Sequence, residues 1–203
     1  MSSPFILTIN INSMKYVKTY TEFLNEFVIH GKSSDKVLVF DIDDTLIKSN
    51  ARVFVKRDDE VVKTLDTQEY NVYKLKPGES FSYEEFRDLD KMLDAEVKPY
   101  FKTMMREYDK GVHISILTAR AGKKLIHDFF MKKANIDIHP KLIFTIGDDM
   151  SDLSVAEKKA KCIRTLVSYG YKTLIFFDDN VDNLKEVQSM GERLGIKIHT
   201  IQA

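Results

Sequence analysis

Val37-Leu38-Val39-Phe40-Asp41-Ile42-Asp43-Asp44-Thr45-Leu46 decides how the rest of the chain is read. Its four opening apolar residues, three of them β-branched or aromatic, describe a short strand buried on both faces, as inside a parallel sheet. Three carboxylates and a threonine follow where such a strand leaves its sheet. Open α/β sheets place their ligand sites just beyond the carboxyl ends of strands. Acidic residues this close repel one another unless a cation or a shared proton sits among them. The plain alternative is an acidic turn capping a helix, a role that suits Asp and Thr. A fully apolar strand running straight into Asp-x-Asp-x-Thr favours the chemical reading.

The chain has 203 residues, enough for one well-buried domain with a small insertion. A hydrophobic share of 43% and a charged share of 31% describe a soluble globular protein. Lys+Arg and Asp+Glu balance at 31 each, so no global field favours nucleic acid or an anionic membrane. Cys162 is the single cysteine, which excludes an internal disulfide and fits a reducing setting. Phe5 to Ile11 is too short and too polar for a leader, and no apolar run approaches membrane-spanning length. A cytoplasmic location is expected.

Outward from the opening strand, Ser13 precedes a helical pattern through Tyr16, Val17, Tyr20, Phe23, Leu24, Phe27 and Val28, closed by Gly31. Residues 1–34 are therefore expected as a helical extension packed on a core spanning 35–203. After Thr45 the pattern turns irregular. Residues 52–56 and 61–65 flank Arg57-Asp58-Asp59-Glu60 as a hairpin with a charged turn. Val72 to Leu75 suggests a further strand before Pro77-Gly78, and Tyr83 to Leu93 a polar helix. The segment 46–96 has too few apolar residues for an independent core, and is expected as a small cap insertion over the mouth of the sheet.

Alternation resumes at Val97. Strands over 113–117, 142–146, 173–177 and 196–201 alternate with helices over about 100–108, 124–134, 154–168 and 184–194. With the opening strand they predict an α/β fold with a five-stranded parallel sheet and helices on both faces. Three strand ends then converge: Asp41, Asp43 and Thr45, then Thr118, then Asp178 and Asp179. Each alone is weak, since a hydroxyl or a double Asp after a strand is ordinary capping chemistry. Their order and spacing together are specific.

In that order the sequence resembles the haloacid dehalogenase-like (HAD) superfamily, mostly phosphatases built on a three-layer Rossmann-like core. Asp41-Ile42-Asp43-Asp44-Thr45 matches its first motif and Ile114-Ser115-Ile116-Leu117-Thr118 its second. A lysine on the helix before the last acidic strand matches the third, and Phe176-Phe177-Asp178-Asp179 the fourth. The resemblance implies that Asp41 attacks phosphorus to form an aspartyl-phosphate while Asp43 protonates the leaving oxygen and then activates water. It implies Mg²⁺ held by Asp41, the Asp43 backbone carbonyl and Asp178, with Asp179 a further or water-bridged ligand. Thr118 and the lysine would steady the transferring phosphoryl group. Thr45 and Arg120 are candidates for substrate contact, although a helix-start salt bridge suits Arg120 equally.

The lysine is ambiguous among Lys158, Lys159 and Lys161, since charge runs on helices are usually solvated faces. Lys159 is favoured because Cys162 and Ile163 follow at the spacing of a packed face. Lys158 ranks second, as a substrate contact in its own right, and Lys161 last. Gly147-Asp148-Asp149-Met150-Ser151-Asp152 also follows an apolar strand and resembles another form of the fourth motif. Choosing it would leave residues 153–203 surplus, so 147–152 reads as a loop. The five histidines have no metal-ligand spacing.

The compact layout resembles phage-type phosphatases of this superfamily, such as the phosphatase half of phage polynucleotide kinase. That implies nucleotides or nucleic-acid ends as the substrate class, with no kinase half, because the chain lacks a Gly-x-x-x-x-Gly-Lys-Ser/Thr loop. Phe54, Lys56, Arg57, Tyr70, Tyr73 and Lys74 could stack on and pair with a nucleotide, or equally be the insertion's own packing and solvated face. The rivals are a sugar phosphate or other small metabolite as substrate, and a non-catalytic HAD-like binding protein. The intact Asp41 and Asp43 argue against the latter, and the acidic cation arrangement argues against a dehalogenase.

Overall fold

The computed structural model describes residues 35–203. The predicted N-terminal helix lies outside them. β1 (Lys36–Phe40) is followed by β2 (Ile47–Lys48), β3 (Val53–Arg57), β4 (Glu60–Leu65), α1 (Thr67–Val72), β5 (Glu79–Ser82), a 3-10 turn over Glu84–Arg87, α2 (Leu89–Asp94) and β6 (Glu96–Val97). Regular alternation then sets in with α3 (Pro99–Asp109), β7 (His113–Thr118), α4 (Lys123–Ala134), β8 (Ile143–Thr145), α5 (Val155–Ser168), β9 (Thr173–Asp178), α6 (Val181–Leu194) and β10 (Lys197–Gln202).

The main sheet has the order β10-β9-β1-β7-β8, with every pair parallel. β1 takes the centre because Val37 to Phe40 are all buried, so the strand is apolar on both faces. From β1 the chain steps through β7 to β8, then returns to the other side of β1 for β9 and β10. Right-handed crossovers put α3 and α4 on one face of the sheet and α5 and α6 on the other. Packing agrees: Phe101 of α3 stacks on Phe130 of α4 with centroids 6.2 Å apart. Gly191 lets α6 press onto β10, where an added Cβ would lie 2.7 Å from Ile198. The predicted α/β class with a five-stranded parallel sheet is the architecture observed.

Winding reverses between β1 and β9, and ligands bind at such a reversal. There Phe40 pairs with Phe177, their rings stacked at 4.4 Å. The Asp41 amide donates to the Phe177 carbonyl at 2.9 Å, extending the ladder one residue past β1. That bond brings Asp41 abreast of Asp178.

The chain then turns sharply, with Leu46 and Ile47 amides both donating to the Ile42 carbonyl, at 2.8 and 3.0 Å. β2 leaves and β6 returns as an antiparallel pair, so the insertion rises on a two-stranded stem. Lys98 pins the stem, its amide donating to the Leu46 carbonyl at 2.8 Å and its ammonium to the Asp44 carbonyl. Beyond the stem, β4-β3-β5 form an antiparallel sheet with Val53, Val55 and Leu65 buried together and Tyr70, Tyr73, Phe81 and Phe86 packed around them. The charged hairpin turn is as expected: Asp58 and Asp59 both take positive φ, as a two-residue hairpin turn requires.

The rest of the insertion departs from expectation. No strand forms over 72–75, because a capping box between Asp66 and Glu69 nucleates α1 just ahead of it. The third strand is β5. The expected helix over 83–93 is split at Asp88, whose extended backbone ends the 3-10 turn and whose carboxylate caps α2. α2 belongs to the main core, where Met92 is fully buried. Among the described residues, no helix is long and apolar enough to cross a membrane.

Candidate active site

Asp41 and Asp178 stand side by side at the ends of neighbouring strands, and α5 delivers Lys159 between them. The Lys159 ammonium donates to Asp41 Oδ1 at 2.9 Å and to Asp178 Oδ2 at 2.6 Å. All three side chains are buried, with Lys159 only 2% exposed. A buried charge needs a partner of opposite sign, and this ammonium has two. Burial alone would strip its proton, but Asp41 and Asp178 outweigh that and hold it above its ordinary value. Burial pushes the Asp41 carboxyl up, Lys159 opposes it, and Asp178 and Asp43 add to the rise.

Asp178 is further held by the Asn180 amide and by Asn183 Nδ2, both at 2.9 Å to its Oδ1. Asp179, half-buried next door, is also pushed up, by burial first and then by Asp178. Asp41, Asp178 and Asp179 each offer a carboxylate oxygen, and these oxygens lie within 4.8 Å of one another. Hard divalent cations prefer such an all-oxygen set.

Asp43 meets Arg120. The guanidinium forks onto the carboxylate, Nε to Oδ2 at 2.8 Å and Nη2 to Oδ1 at 2.7 Å. Thr118, wholly buried at the end of β7, accepts from the Arg120 amide at 3.1 Å and so keeps its hydroxyl proton for another acceptor. Thr45 is also wholly buried, and its hydroxyl has no partner among the described residues.

Of the residues singled out in the sequence, Asp41, Lys159, Asp178 and Asp179 form one cluster, and Asp43, Arg120 and Thr118 an adjoining one. Lys158 joins neither, since its ammonium donates to the Asp149 carbonyl at 2.7 Å. Lys161 lies 3.8 Å from the Asp149 carboxylate and is largely exposed.

A model of the HAD superfamily, subfamily IIIB (acid phosphatase), matches residues 7–200. The chain belongs to this family. No curated protein and no solved structure matches it. As an acid phosphatase of HAD subfamily IIIB it is a phosphoric monoester hydrolase, and its substrate is a phosphorylated compound.

Three parts of the candidate site went unnoticed in the sequence. Asn183 stands one turn into α6, and an Asn five residues past a strand-end Asp was the available signal. Ser49 and Phe86, both partners of Arg120, come from the insertion, and nothing local marks either.

Proposed function

We propose that this acid phosphatase hydrolyses phosphate monoesters through an aspartyl-phosphate on Asp41, with Asp43 moving protons. The observation that carries this reading is the division of labour between the two aspartates. Asp41 lies in a buried cluster with a cation, while Asp43, two residues on, is partly open and held by a separate cation. Asp41 attacks phosphorus; the bond to the leaving oxygen breaks, and that oxygen takes a proton from Asp43. Asp43 then draws a proton from the water that cleaves the acyl-phosphate. Thr118 donates to a phosphoryl oxygen, and the Lys159 ammonium offsets charge on the transferring group. Thr45, whose buried hydroxyl has no partner among the described residues, adds a second donor toward the same group.

The donor set fits Mg²⁺: Asp41, Asp178 and Asp179 with the Asp43 carbonyl would hold it. A cation there would let a carboxylate approach a phosphate dianion without prohibitive repulsion. The segment 46–96 acts in this reading as a cap on the Rossmann-like core. The lone cysteine supports a reducing, cytoplasmic setting.

For the substrate we favour nucleotides or nucleic-acid ends, in keeping with the likeness to phage-type phosphatases. The support is the aromatic face of the insertion, where Tyr70, Phe81, Tyr83 and Phe86 make successive edge or tilted contacts. Much of the basic set is engaged internally: Lys56 pairs with Glu84 and Arg57 with Glu79, and the Tyr73 hydroxyl donates to Glu79. Recognition would then rest on stacking more than on those charges. The test is turnover of mononucleotides, phosphorylated oligonucleotides and sugar phosphates, with Mg²⁺ and with chelator. Chelation should abolish all activity, and nucleotide substrates should show the highest kcat/KM. A sugar phosphate leading the panel would overturn the substrate class while leaving the chemistry intact.

A further inference from the structure

Arg120 makes more bonds than an ion pair needs. Its side chain is 1% exposed, against 27% for Asp43. Two of its hydrogen bonds form the fork onto Asp43. Two others leave the core for the insertion: Nη2 donates to Ser49 Oγ at 3.1 Å and Nη1 to the Phe86 carbonyl at 2.8 Å. The Phe86 ring also lies against the guanidinium, 5.0 Å from Cζ to the ring centroid. These contacts come from both limbs of the insertion, Ser49 just past the outgoing β2 and Phe86 shortly before the returning β6. The Arg120 backbone is fixed independently, its amide on Thr118 and its carbonyl accepting from Gly147 at 3.2 Å.

We propose that Arg120 is a positioning residue through which the insertion aligns Asp43 for proton transfer. The inference rests on the reading of Asp43 as the acid and base. A guanidinium approaching from the buried side occupies one lone pair on each carboxylate oxygen. The other lone pairs face the open side, where the leaving oxygen and later the water arrive. As the phosphorus–oxygen bond breaks, its electron pair stays with the leaving oxygen, which takes the proton from Asp43. Arg120 stays charged throughout and exchanges nothing. When the insertion is seated, Ser49, Phe86 O and the ring lock the fork; when it lifts, the guanidinium loses two acceptors and a face, and Asp43 loses its aim. A substrate that holds the insertion down thereby assembles its own proton donor.

The test compares a phosphate ester of a simple alcohol, whose leaving group needs a proton, with p-nitrophenyl phosphate, whose leaving group does not. Asp43→Asn, Arg120→Ala, Arg120→Lys, Ser49→Ala and Phe86→Ala are assayed on both. Arg120→Ala should lower kcat for the alkyl ester about 100-fold, the order of loss that misplacing a catalytic group brings, with a far smaller loss on the aryl ester. Arg120→Lys should recover only part, because an ammonium cannot fork, and added guanidine should partly restore Arg120→Ala. Ser49→Ala and Phe86→Ala should shift the alkyl-to-aryl ratio several-fold in the same direction. Equal losses on both esters, or losses confined to KM, overturn the proposal. If Arg120→Ala does not fold, Arg120→Lys and Ser49→Ala decide it on the same ratio. Should Asp43→Asn itself fail to separate the two esters, the reading of Asp43 is wrong. Should Asp43→Asn separate them and the Arg120 variants not, the role of Arg120 alone falls.

Discussion

β8 and β9 both run out of the sheet into a double aspartate, Asp148-Asp149 and Asp178-Asp179, and the two ends meet different surroundings. Asp178 is fully buried and accepts from Lys159, Asn180 and Asn183. Asp148 accepts from the Gly122 amide at 2.9 Å and from the Thr145 hydroxyl at 3.1 Å. Asp149 accepts from the Ser151 amide, and the next side chain, Met150, is 92% exposed. Those are the bonds of a loop fastened to itself and to the start of α4. Local sequence cannot separate the two ends; sheet position does. β9 lies against β1, so its aspartate meets Asp41 and shares a cation with it. β8 is the outer strand beyond β7, so its aspartates meet their own loop, the start of α4 and two lysines of α5, and no second strand-end carboxylate.

The largest effects should follow from the inner end. Asp41→Asn and Asp178→Asn are expected to lower kcat at least about a thousandfold, whereas Asp148→Asn and Asp149→Asn should stay within about threefold. Steady-state kinetics of the four purified variants decide it, and a comparable loss at Asp148 would erase the distinction. Next comes the cation. Lys159→Met leaves two buried carboxylates without the cation they share and should cost about 3–5 kcal/mol of stability, with kcat down roughly 10²–10³-fold. Denaturant unfolding and turnover measured together read both. Lys161→Ala should cost under about 1 kcal/mol, because its pair with Asp149 is exposed.

The outer end is not idle, and a third prediction sharpens what it does. Gly147 lies against the loop that carries Arg120: a Cβ there would sit 2.6 Å from the Ala119 carbonyl and 2.9 Å from the Ala121 amide. Gly147→Ala should therefore cost about 1–3 kcal/mol and lower kcat by displacing Thr118 and Arg120, visible as a drop in Tm together with slower turnover. The smallest effect concerns Cys162, on the same helix as Lys159. Burial pushes its thiol from an ordinary 9.0 to about 11, so the thiolate fraction at pH 8 is about a hundredfold below that of a free cysteine. Alkylation by iodoacetamide should be correspondingly slow at pH 8 and should accelerate as pH rises toward 11.

The strands of the core were legible because burial on both faces writes an unbroken apolar run, as in Leu38-Val39-Phe40 and Leu174 to Phe177. Their carboxyl ends named the acidic residues directly. The insertion was harder to read. β5, Glu79-Ser80-Phe81-Ser82, has one apolar residue and pairs on one side only, so it carries little strand signal. α1 was announced by Asp66 and Glu69, a capping box in plain view whose signal was outweighed by the β-branched Val72 and aromatic Tyr73 beside it. The pairing of Asp43 with Arg120 lay beyond reach for another reason. The two are brought together by the β1–β7 register, a long-range fact that no window of sequence contains. Among the three lysines of α5, helical spacing favoured Lys159, the one whose side chain the structure buries between Asp41 and Asp178.

The central position of β1 also bears on how the protein folds. β1 comes first among the strands of the sheet, yet both of its neighbours, β7 and β9, come much later in the chain. Pairing across such separations is slow, because long loops must close before any contact rewards them. During synthesis Asp41 emerges well before Asp178 and Lys159 exist. The cluster cannot assemble until the chain has passed β9, so the proposed reactive centre forms only once α6 and β10 are next to be made.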